Sequence, residues 1–219
     1  MSQWLRGLGD HPHRRILHQL LLRSMAVAAY NEEPGLHFGL GSDQYLHFTS
    51  PIRRYPDLIV HRLLKSELHR ETGPDADALG ALADHCSRRE RLAVDAERTV
   101  QDLYKALFLN RHLGESFDGL VIGVMGIGLF VQLDRHLVEG LVPAAGLRDD
   151  QYEFDEELKE FRGRRTGRRF ALGTRLRVRV NGVDIARRRV EFGLMAVLVE
   201  APPMPRATRP GNDRPVKRR

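Results

Sequence analysis

Cysteine is almost missing from this sequence. Cys86 stands alone among 219 residues, which excludes an internal disulfide framework and fits a reducing cytosol or a secreted chain with one free thiol; we take the cytosol. No charged start is followed by an apolar run and a small-residue cleavage site, and the longest apolar stretches fall far short of the roughly 20 residues that span a membrane. The chain therefore reads as soluble and cytoplasmic, with no membrane partner. Metal-ligand clusters are missing too. His11 and His13 flank Pro12, and His85 adjoins Cys86, but neither pair has the spacing of a multi-ligand zinc site, so these read as solvated or core histidines. The glycines of GVMGIG, residues 123–128, have no helix after them and do not make a nucleotide-binding loop.

What the sequence does contain is enough apolar residue, 42%, for a core in one or two domains. Lys and Arg outnumber Asp and Glu by 35 to 29, a formal net charge of +6 that points toward a polyanionic partner without deciding for one. Residues 14–30 carry Leu17, Leu20, Leu21, Met25 and Ala28 at helical spacing and predict a buried helix, followed by a glycine-rich loop over residues 31–44. Helical spacing returns from Tyr55 to His69 through Leu58, Ile59, Leu63 and Leu64, with Pro56 in the first turn, where proline is tolerated. A third helix is expected from Asp77 to Leu113, its stripe of Leu79, Leu82, Cys86, Ala93, Ala96, Val100, Leu103 and Leu107 packing on neighbouring helices until Gly114 stops it.

From Phe117 the texture changes to short β-prone runs broken by glycines. Strands at 117–124, 128–134, 139–143, 174–183 and 188–194 suit a small Greek-key barrel of the OB type. Residues 201–219, rich in proline and arginine and without apolar periodicity, read as a disordered basic tail. The fold class is α+β, helices first and a five-stranded barrel after them.

One segment concentrates unusual chemistry. In YLHFTSPIRRYPD, residues 45–57, Arg53 and Arg54 lie beside Thr49 and Ser50 just before a helix start, and Pro51 and Pro56 stiffen the loop. Guanidinium forks, hydroxyls and free backbone N–H groups together suit a phosphate. Composition serves a second reading equally well, in which one arginine pairs with a buried carboxylate such as Asp57, and spacing does not separate the two.

The longer stretch HFGLGSDQYLHFTSPIRRYPDLIVHRLLKSEL, residues 37–68, resembles the signature segment of the ribonuclease II and ribonuclease R family. LLLRSMAVAAY before it and AERTVQDLYKALFL after it resemble the same family in the same order, and the barrel is similar to the family's C-terminal S1-type RNA-binding domain. The resemblance runs from about Trp4 to Met195, and SPIRRYPDL with the basic tail brings it nearer to ribonuclease R. It implies the helical C-terminal part of an RNB catalytic domain over residues 1–113, an S1-type OB barrel over 114–200 and the tail beyond. It also implies Mg²⁺-assisted, processive removal of nucleoside monophosphates from the 3′ end of single-stranded RNA. Carried over by position, Arg53 is the active-site arginine on the phosphate near the scissile bond. Arg54 is a phosphate or structural neighbour, Ser50 beside them is a further RNA contact, and Glu97 in the AER segment sits near the site, with a plain surface position on the helix as an equal alternative.

In the barrel the resemblance makes Phe130 a base-stacking aromatic, while Ile127 and Pro143 stand where the family usually has a second aromatic and a histidine. Arg175, Arg177 and Arg179 alternate on one face of the fourth strand, with Arg188 at the following turn, as further RNA contacts; the plainer reading of this comb is a solvated strand face. The family's metal site needs clustered aspartates well upstream of the signature. Only Asp10, Asp43 and Asp57 precede residue 70, far apart, so no metal ligand is assigned here. The expectation is the last third of such an enzyme, from a truncated, split or mis-started gene, whose missing N-terminal part, as a separate chain in the split case, supplies the aspartates. The alternative is a catalytically silent RNA-binding module.

Overall fold

The computed structural model describes residues 14–71 and 75–201, together with Gly7 and Gly9. His11, His13 and all of the expected tail except Ala201 lie outside the described residues. The chain divides into two compact units, one being Met25–Gln101 and the other made by the chain on either side of it, up to Ser24 and from Asp102. No helix among the described residues is long and apolar enough to cross a membrane.

Helix α1 spans Arg14–Ser24, six residues shorter than its apolar spacing predicts. Ser24 turns its hydroxyl back onto the Leu21 carbonyl at 2.8 Å, which closes the last turn. The following residues are drawn out of the helix by tertiary partners. The Tyr30 N–H donates to Ser87 Oγ at 2.9 Å, and its phenol meets His47 Nδ1 at 3.1 Å. Helix α2, Tyr55–His69, matches its expected span and ends at Arg70 with φ 56°, where the Arg70 and Glu71 N–H groups satisfy the Glu67 and Ser66 carbonyls.

Helix α3, Ala76–Asn110, opens with the Asp75 carboxylate accepting the Ala78 N–H at 2.7 Å. It stops three residues before the expected Leu113. The Arg111 and His112 N–H groups tighten onto the Phe108 and Leu109 carbonyls, and Gly114, at φ 82°, donates to Val180 of the barrel. The stripe expected to be covered by other helices is half-buried at Leu79, Leu82 and Cys86 but exposed at Ala93, Ala96 and Val100. Periodicity reports a face that can be buried. It does not supply the partner that buries it.

The barrel closes in the order β1, β2, β3, β8, β7. Its strands are β1 Ser116–Met125, β2 Gly128–Leu133, β3 Glu139–Pro143, β7 Arg175–Asp184 and β8 Arg189–Val199. Neighbours run antiparallel except for the closing β3–β8 pair, which is parallel. Alternation of side chains fills the interior: Val121, Leu129, Val131, Val142, Leu176, Val178, Val180 and Phe192 are fully buried. Two glycines permit the closure. At Gly128, with φ 148°, a Cβ would lie 2.1 Å from the Val142 carbonyl oxygen, and at Gly140 the Phe192 ring occupies the space of a side chain.

Between β3 and β7 the chain adds a small sheet that the sequence did not announce: β4 Tyr152–Asp155, β5 Glu160–Gly163 and β6 Arg169–Phe170. Its strands have two to four residues each, too short for period-2 alternation to show. Phe161 and Phe170 nevertheless join the barrel's core.

Candidate functional site

The loop ahead of α2 is a turn tied down from one side. The Arg53 and Arg54 N–H groups both donate to the Ser50 carbonyl, at 3.2 and 3.0 Å. Asp57 at the third helical position has no exposed surface, and one of its oxygens accepts the Ser50 N–H at 2.7 Å and the Arg54 guanidinium at 2.8 Å. Burial works against a charged carboxylate here. The Ser50 N–H, the Arg54 hydrogen bond and charge, and the nearby His47 outweigh it and hold the Asp57 pKa below its ordinary value.

This arrangement separates the two arginines. Arg54 is half-buried and paired with Asp57, which gives it a structural contact in the loop. Arg53 is exposed, and among the described residues no carboxylate pairs with it. Ser50 serves the loop through both its backbone groups. The other oxygen of Asp57 and the Arg54 Nε are buried without a hydrogen-bond partner. The limb leading into the turn is held by rings: Phe48 stacks on His61 at 4.3 Å while its carbonyl bonds His61 Nε2, and Tyr45 edges onto His47 at 5.7 Å.

Glu97 lies exposed on α3, where the Gln101 side-chain amide donates to it at 3.1 Å, and no bond joins it to the loop. Among the described residues no group of three or more His, Cys, Asp or Glu could hold a metal ion, so these side chains do not fit the metal that the family resemblance implies. No hydrolytic step is assigned through one.

On the barrel, Phe130 points outward from β2 between the buried Leu129 and Val131 and lies over Gly123 of β1, whose missing side chain leaves the ring half-exposed. The arginine comb of β7 does not act as a set. Arg177 grips Asp118 through two nitrogens, at 2.7 and 3.1 Å, and Arg175 pairs with Asp134. The Arg177 hydrogen bond, against a smaller burial penalty, lowers the Asp118 pKa, and the same bond raises that of Arg177. Arg179 is exposed and has no carboxylate partner among the described residues. At the β7–β8 turn Arg187 pairs with Asp184, while Arg188, at φ 53°, stands exposed. Spacing alone could place these arginines on one face. It could not foresee that Asp118 of β1 and Asp134 in the turn after β2 neutralise two of them. Arg148, also exposed and unpaired among the described residues, carried no sequence signal.

Both parts of the chain match known proteins. Residues 1–70 match the model of the RNB domain and residues 112–194 that of the S1 RNA binding domain. Ribonuclease R of Aquifex aeolicus is 45% identical over 190 residues, covering 85% of this chain and 27% of that protein. Ribonuclease R of Escherichia coli is 38% identical over 207 residues, covering 89% and 26%. The apo form of Mycoplasma genitalium RNase R superposes with a TM-score of 0.80 at 32% identity, over 88% of this chain and 31% of that one. The same protein in complex with ribose methylated single-stranded RNA gives the same values. The chain thus spans between a quarter and a third of the length of these relatives. With helices and S1-type barrel in the same order, it belongs to the ribonuclease R family and corresponds to its C-terminal portion.

Proposed function

We infer that this chain is the RNA-holding C-terminal portion of a cytoplasmic 3′→5′ exoribonuclease. Residues 1–113 contribute the end of the catalytic domain and residues 114–200 the S1-type barrel. On the barrel, single-stranded RNA stacks on Phe130 with Arg179 and Arg188 meeting its phosphates; in the helical unit, Arg53 holds a phosphate near the scissile bond. The observation that carries the reading is the free guanidinium of Arg53 on a turn anchored by Asp57. A cation already fixed in place stabilises charge at a phosphate without reorganising, which is what a transition state requires. Mg²⁺ is the cofactor we assign to the complete enzyme; it would supply the activated water, and its carboxylates come from the remainder of the catalytic domain, in the same polypeptide or as a second chain. Glu97 is retained as a residue near that assembled site.

Purified chain is predicted to bind single-stranded RNA yet release no nucleoside monophosphates with Mg²⁺. Fusion to the aspartate-bearing part of a ribonuclease R should start release. Monophosphate release by the chain alone, abolished by a chelator, would overturn this division of labour. A fusion that binds RNA and stays inactive would instead establish a silent RNA-binding module, a second reading favoured by the unclustered carboxylates among the described residues.

A further inference from the structure

Two arginines left over by the barrel's ion pairs meet at one cleft. Six arginines from Arg164 to Arg187 are paired with carboxylates: Arg164, Arg168, Arg169, Arg175, Arg177 and Arg187. Arg179 and Arg148 are exposed and have no such partner among the described residues, and both line a cleft of about 350 Å³ between the end of β3 and the β7–β8 pair. Asn181 shares the outward face of β7 with Arg179, and its amide lies over Gly193, where a Cβ would approach it to 2.6 Å. The cleft therefore carries two guanidinium forks and an amide donor. Its one carboxylate is Glu191, which makes no ion pair with either arginine.

The cleft is also continuous with the stacking surface. Phe130 is in register with Leu141, and Leu141 with Glu191, each flanked along its strand by buried residues, so the three face outward in one row across β2, β3 and β8. Adjacent strands lie about 4.8 Å apart, which puts Glu191 and the cleft beside it roughly 10 Å from Phe130 along this row. A strand of RNA with a base on Phe130 meets the cleft next.

We propose that Arg148 and Arg179 form a phosphate subsite for the single-stranded RNA held by the barrel, with Glu191 acting as a brake on its affinity. The subsite rests on the reading of the barrel as an RNA-binding domain. Arg148 and Arg179 together hold one backbone phosphate, Asn181 adds a neutral hydrogen bond, and Glu191 opposes the same anion. A guanidinium pair is the donor set that phosphodiester oxygens favour, and its forks are worth more than two point charges.

The test is fluorescence anisotropy of a labelled single-stranded RNA with the full chain across a series of salt concentrations. The double variant R148A/R179A is expected to bind roughly tenfold more weakly. The slope of log affinity against log salt should shrink by about 0.7, the loss of one phosphate contact. R177A, whose charge Asp118 already neutralises, should leave the slope unchanged. E191Q should strengthen binding, a gain that misfolding does not mimic. An unchanged affinity and slope in R148A/R179A, while F130A weakens binding, would refute the subsite and leave the barrel reading intact. Absence of RNA binding by the parent chain would overturn both.

Discussion

At the residue scale the decisive contrast is between two adjacent arginines that the sequence could not tell apart. Asp57 has no exposed surface and takes Arg54, leaving Arg53 outside. Burial of a carboxylate is a property of the folded chain, so which arginine takes the ion pair had to wait for the structure. Arg54→Ala is expected to leave Asp57 charged and unpaired and to lower Tm by roughly 5 °C or more, whereas Arg53→Ala should leave Tm within about 1 °C. Thermal unfolding followed by circular dichroism separates the two. The same carboxylate sets an acid limit. The folded pKa of Asp57 is lowered from the ordinary 3.8, so its contribution is fully present above that value and is lost as pH falls through the folded value. Asp118, Asp150 and Asp184 are lowered too and act in the same direction. Stability should accordingly fall steeply below about pH 4, and Asp57→Asn should flatten part of that fall in a pH series of Tm measurements. Phe130→Ala should weaken RNA binding by roughly 1 to 3 kcal/mol without altering the salt slope, because it removes a stacking face and no charge.

At the scale of elements, legibility followed length. Helix α2 and the five barrel strands have enough residues for a period to register, and their expected and observed spans differ by a few residues, most at the end of β8. The sheet of β4, β5 and β6 does not. Its shortest strand is two residues, yet Phe170 within it is fully buried. Helix α1 shows the opposite failure, a periodic stretch that tertiary hydrogen bonds from Tyr30 pull straight. Glycine punctuation was the most transferable signal, since Gly114 marks the end of the α3 segment at a positive φ. Gly128 makes the sharpest demand of any glycine in the barrel. A Cβ there would meet the Val142 carbonyl oxygen at 2.1 Å in a backbone conformation that L residues avoid. Gly128→Ala should therefore cost at least about 2 kcal/mol, from strain and overpacking together. In urea denaturation the barrel's midpoint should fall with its m-value unchanged.

At the scale of the whole chain, apolar burial is distributed very unevenly. Every buried hydrophobic residue among those described, from Ala106 to Phe192, belongs to the unit that contains the barrel. Among the described residues of the unit Met25–Gln101 the buried ones are Asp57 and Ser87, both polar, while Leu36, Leu46, Ile52, Leu64 and Leu92 are among its exposed large side chains. A helix gains most of its stability in a protein from burying an apolar face, because isolated helices of about 15 residues are marginal in water. Helix α2 has 15 residues. Its face was legible in the sequence; that this face is only partly buried among the described residues was not. The two units should therefore open independently, the helical one at much lower free energy. Hydrogen exchange followed by mass spectrometry is expected to show residues 55–69 exchanging far faster than β7, where Leu176, Val178 and Val180 anchor the core. Fusion to the remainder of a ribonuclease R catalytic domain should slow exchange in 55–69 and leave β7 unchanged. Equal protection of α2 and β7 in the chain alone would show that the helical unit is self-sufficient.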